Sequence, residues 1–185
     1  MTTAAVNHRH HHWRIARWGV AAALLALPAV AMRFTPEVNW TGGDFVAAAV
    51  MLGLPLLGYD AVSARSEGFA YRAGAALALL AAFLLVWIDL AVGIVGEGGN
   101  RASLMYAGVL ALAYGGAIAS RLKPNGLART MLIVAVAQVA APVVAVVGAM
   151  GSDGPIWPWD AIGVTAVLAT LWLSAAALFR RAARA

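Results

Sequence analysis

A chain of 185 residues that is 63% hydrophobic and only 11% charged cannot cover itself with polar surface, because soluble domains carry roughly a quarter charged residues. Its mean hydropathy of +0.82 points to burial in a bilayer. The absence of cysteine excludes disulfides, thiolate metal sites, iron–sulfur clusters and cysteine nucleophiles.

Residues 1–17 form a basic tail that holds all four histidines, His8, His10, His11 and His12, in the run NHRHHHW. Such a tract can take up zinc, nickel or copper. No carboxylate or thiol accompanies it here, so these four are weak metal candidates and no cofactor is expected. Arg14 and Arg17, a short apolar run and then Ala29-Val30-Ala31 also have the form of a cleavable signal peptide, an alternative to a retained first helix.

Six apolar stretches follow, near Trp18–Met32, Asp44–Val62, Tyr71–Val95, Leu104–Ser120, Leu127–Met150 and Asp160–Phe179. Each is close to the roughly 20 residues that a helix needs to cross a bilayer. They predict an all-α transmembrane bundle, residues 18–179, of six helices arranged as three hairpins. A basic tail, 180–185, ends the chain.

The connectors alternate in charge. All but Arg33 and Arg101 of the 13 basic residues fall in the two tails, in the second and fourth connectors or within three residues of those connectors, which by the positive-inside rule puts both termini in the cytoplasm. A basic face beside anionic headgroups accounts for the net charge of +5, so no nucleic-acid partner is expected. The opposite face carries Glu37, Asp44, Glu97, Asp153 and Asp160, with Trp40, Trp157 and Trp159 at headgroup depth. Asp44 and Asp160 each open a helix, where a carboxylate caps free N–H groups. Met32, Pro36, Trp40 and Asp44 resemble Met150, Pro155, Trp157 and Asp160; a parallel repeat and shared capping chemistry both explain the match.

Small residues recur every fourth position in the fourth span, at Ala107, Ala111, Gly115 and Ala119, and in the third at Gly74, Ala78 and Ala82. Such stripes let helix backbones approach in lipid. Pro28, Pro55 and Pro142 fall inside three other spans, where each removes a backbone hydrogen bond.

Two polar residues stand inside apolar runs. Asp89 is placed about six residues, roughly 9 Å, from the outer end of its helix, on a face with Val92, Gly93 and Gly96. A carboxylate there should point at a neighbouring helix, because exposure to lipid costs several kcal/mol. Arg33 and Arg101 are its candidate ion-pair partners. Gln138, near the middle of the fifth span, should hydrogen-bond across helices. Asp60, in GYDAVSAR, has Arg65 and Arg72 nearby for an interfacial ion pair. No Walker loop, HExxH, GxSxG or CxxC occurs, and no histidine lies within the spans to act as a base or haem ligand.

The stretches EVNWTGGDFVAAAVMLG and YRAGAALALLAAFLLVWIDLAVGIVGEGGNRASLMY, under a third of the chain, resemble a family of short multi-pass bacterial inner-membrane proteins with no assigned activity. The resemblance implies a helical bundle in the bacterial cytoplasmic membrane. It also implies asparagine as readily as aspartate at the position of Asp89, which favours a polar hydrogen bond there over a strict proton relay.

Three functions stay open at this point. The leading one is a non-enzymatic accessory or assembly partner that works through lipid, a membrane-protein partner or its own copies. A small transporter or channel would use Asp89 and Gln138. A membrane enzyme would need the outward acids, such as Glu97 and Asp153.

Overall fold

The computed structural model is all-α and describes residues 3–66, 68–91, 93–95, 103–150 and 157–185, with side chains from Trp13 onward, Ser103 excepted. Its six helices are α1 (Thr3–Ala31), α2 (Gly42–Ser63), α3 (Phe69–Ala91), α4 (Ser103–Ala119), α5 (Pro124–Val147) and α6 (Trp159–Ala182). Five contain segments long and apolar enough to cross a membrane: Trp13–Ala31, α2, α3, α5 and α6. These make the chain a multi-pass membrane protein by length and composition. The described part of α4, 17 residues, spans about 26 Å against the roughly 30 Å of the hydrocarbon core.

The chain divides into two compact units, residues 1–60 and 61–185. In the first, α1 begins well before the expected Trp18, so helix continues through most of the segment read as a tail. Asp60 ties this unit together. Arg17 Nη2 donates to Asp60 Oδ1 at 2.8 Å, Trp18 Nε1 donates to Oδ2 at 3.1 Å, and Arg14 Nε stands 3.3 Å from Oδ2. The Arg17 guanidinium also lies over the Tyr59 ring, 4.6 Å from its centroid, a cation–π contact. The expected pairing of Asp60 with Arg65 or Arg72 is therefore corrected. Arg72 instead donates to the carbonyls of Ser66 and Ser63, because an arginine just inside a helix start can reach the free carbonyls ending the helix before it.

The start of α2 is a capping box. Asp44 Oδ2 accepts from the Thr41 N–H at 2.7 Å and from its hydroxyl at 2.8 Å, and Thr41 Oγ1 accepts from the Asp44 N–H at 3.3 Å. Thr41 is thus the cap, and Asp44 answers it from within the first turn. Asp160 works differently: its carboxylate accepts the neighbouring Ala161 N–H at 2.8 Å. The two helix starts that look alike in sequence are built on different bonds.

In the second unit α5 lies between α4 and α6, α6 also packs on α3, and α3 touches α4. Alanine makes the close approach workable. Ala128, Ala135, Ala141 and Ala145 of α5 and Ala161, Ala175 and Ala176 of α6 are all buried, which suits a solvent as apolar as leucine, where packing rather than water drives association. At Gly74 an added Cβ would meet the Ala175 carbonyl and the Leu178 and Phe179 side chains at 3.3 Å. Buried Gly74 and Ala82, with half-buried Ala78, therefore form a true packing face.

The α4–α5 turn places Arg121 and Leu122 at φ 51° and 59°, left-handed values that side chains disfavour. A Schellman-type bond from the Leu122 N–H to the Ala117 carbonyl, 3.1 Å, and the Tyr71 hydroxyl donating to the Leu122 carbonyl at 2.6 Å hold it. Pro124 then starts α5 with φ already suited to a helix.

Candidate functional site

The polar interior of the second unit is the candidate site. Gln138 of α5 is 0% exposed, Tyr106 of α4 and Trp172 of α6 are 1%, and Thr165 of α6 is 6%. The Tyr106 hydroxyl interacts with that of Thr165 and lies within electrostatic reach of Asp89. Beyond that Tyr106–Thr165 contact, the Tyr106 hydroxyl, both amide atoms of Gln138, the Thr165 hydroxyl and Trp172 Nε1 have no partner in hydrogen-bonding geometry among the described residues. Buried polar atoms are nearly always paired, and each orphan costs about 1–3 kcal/mol. These atoms are available to a polar molecule.

Helical rise sets their depths. Asp89 is near the end of α3, Tyr106 about 5 Å into α4, and Thr165 about 9 Å into α6. Gln138 lies about 14 Å before the end of α5, and Trp172, on the same face of α6 as Thr165, about 20 Å from that helix's start. They descend from one end of the unit towards its middle.

Asp89 sits closer to a helix end than its sequence setting implies. The third helix stops at Ala91, because Gly93 adopts φ 71°, the left-handed position that glycine fills at helix ends. Its N–H bonds the Asp89 carbonyl at 3.1 Å, and Ile94 and Val95 bury themselves just beyond. Gly93 therefore terminates the helix instead of lining a packing face; Gly96 lies outside the described residues. Asp89 itself is half-buried.

Arg33 is exposed, and Arg101, Glu97 and Asp153 lie outside the described residues. Ala107, Ala111, Gly115 and Ala119 are exposed, so this stripe is not packed within the second unit. The buried face of α4 is Tyr106, Val109 and Ala113, because that register lets an aromatic ring fill space that alanine would leave empty. Close approach occurs one residue over, at Gly116, where a Cβ would collide with the Thr130 side chain. Among the described residues no three His, Asp or Glu side chains converge as a metal site would require. The side chains of His8, His10, His11 and His12 are outside the described set.

Compared with models of protein families, with curated proteins and with solved structures, the chain matches none. Tyr106, Thr165 and Trp172 were not singled out by the sequence. Hydroxyls and an indole are common in membrane helices, and only the spacing of Thr165 and Trp172, two turns apart on one face, hinted at them. A separate cavity of about 60 Å³ is apolar, lined among others by Ala75, Leu79, Ala113, Met131 and Trp172; neither Asp89 nor Gln138 reaches it.

Proposed function

We propose that this is a six-helix integral protein of the bacterial cytoplasmic membrane, built as three hairpins with both termini inside, which works without catalysis as an accessory or assembly partner for other membrane helices. Arginine placement supports the orientation, and local thinning of the bilayer lets the short α4 cross. One observation carries the function: within the second unit, α3, α5 and α6 leave the Ala107, Ala111, Gly115 and Ala119 face of α4 uncovered. On α4, a Cβ at Gly115 would touch nothing within 4 Å, so a groove for a foreign helix can exist there without altering the fold.

The test compares variants in the native membrane. Gly115→Leu and Ala111→Leu should abolish co-purification of the partner helix while the purified chain melts normally; Asp89→Asn should retain the complex. Loss of the complex in Asp89→Asn alone would refute the proposal.

The orphaned interior atoms favour a second reading, a small transporter or channel for a proton or compact polar solute. In that case Asp89→Asn and Tyr106→Phe abolish flux into proteoliposomes without loss of fold.

A further inference from the structure

At the far end of the second unit, α6 carries Leu173, Ala176, Ala177, Arg180, Arg181 and Arg184 at spacings of three and four. With Leu132 of α5 these residues line an open groove of about 370 Å³. Helical periodicity puts them on one stripe. Its upper half is apolar, beginning about 14 Å before the end of α6, and its lower half is three exposed guanidinium groups. Among the described residues none of these three guanidinium groups has an ion pair or hydrogen bond. The second unit's described acidic side chains, Asp89 and Asp160, lie at the other end; Asp160 is about 30 Å along the helix from Arg180.

We propose that this groove is a specific site for an anionic phospholipid, its phosphate held by Arg180, Arg181 and Arg184 and its first acyl carbons laid on Leu173 and Leu132. The inference rests on the chain spanning a membrane and is independent of the accessory role. Arginine forks match phosphate oxygens in pairs, and a basic pocket between membrane helices at headgroup level is built for such a lipid. A free phosphate would use the arginines but gain nothing from the leucines. A zwitterionic lipid would use the leucines but bring a cation to the arginines.

The test is native mass spectrometry of the full chain in neutral detergent with equal amounts of dioleoylphosphatidylglycerol and dioleoylphosphatidylcholine. The phosphatidylglycerol should be retained preferentially, and Arg180→Gln, Arg181→Gln and Arg184→Gln should each lower that preference about fivefold. Leu173→Ser should weaken it with all three arginines present, Arg33→Gln should leave it intact, and inorganic phosphate should fail to displace the lipid. Because the two lipids are counted on the same protein, a misfolded variant loses both, whereas a damaged site loses only the anionic one. Equal retention of the two lipids, displacement by phosphate, an equal effect of Arg33→Gln, or insensitivity to the arginine variants would overturn the proposal.

Discussion

Gln138 buries a primary amide with neither end satisfied, and Asp60 is a carboxylate with three donors around it. The two residues make opposite predictions. Replacing Gln138 with leucine removes orphaned atoms and strands no partner, so the thermal midpoint of the purified protein should hold or rise, within about 1 kcal/mol of the parent. A clear fall would mean that the amide has a partner. Asp60→Ala leaves Arg17 and the Trp18 indole unpaired. Arg14, with its side chain 66% exposed, adds little, while Arg17, at 33%, adds more. The expected loss is about 1–2 kcal/mol, read as a lower midpoint in detergent, and high salt should narrow the difference from the parent. The sequence identified both polar residues because each interrupts an apolar run. It did not identify their partners: Asp60's lie over 40 positions away, and local spacing carries no signal at that distance.

At the scale of the helix, neighbouring glycines separate packing from exposure. Gly116→Ala pushes a methyl into the Thr130 side chain, whereas Gly115→Ala meets open space. The first should cost about 1–3 kcal/mol and the second nothing measurable or a small gain, since alanine favours helix over glycine; melting curves of the two variants check this. Tyr71→Phe should lose about 1 kcal/mol, because its hydroxyl holds the carbonyl of a left-handed residue in the α4–α5 turn. The positions of the helices were legible, because a bilayer dictates length and apolarity together. Their faces were only partly so. The Gly74 stripe packs and the Gly115 stripe does not, yet in an alanine-rich chain surrounded by lipid the two patterns look the same. In sequence Asp44 looks like the cap of α2, where Thr41 caps and Asp44 answers it, and the early end of α3 depended on Gly93 adopting a left-handed conformation, which a helical wheel through Gly93 and Gly96 hides.

For the molecule as a whole, the account depends on how many times the chain crosses the membrane. Among the described residues five segments have the length, and the 17 described residues of α4 do not. An even number of crossings returns the end of the chain to the side on which it began, which is the arrangement that the arginine distribution predicts. The interior site, the outward faces proposed to meet other helices and the arginine groove all take their depth from that count. Because the chain has no cysteine, a single introduced cysteine reports its own side without interference. The most direct measurement is labelling of Thr35→Cys, Ser66→Cys and Ala183→Cys in intact cells with a membrane-impermeant thiol reagent. The account predicts that Thr35→Cys is labelled from outside, while Ser66→Cys and Ala183→Cys react only after the membrane is opened. Labelling of Ala183→Cys in intact cells with Ser66→Cys protected would contradict it, showing that α4 does not cross.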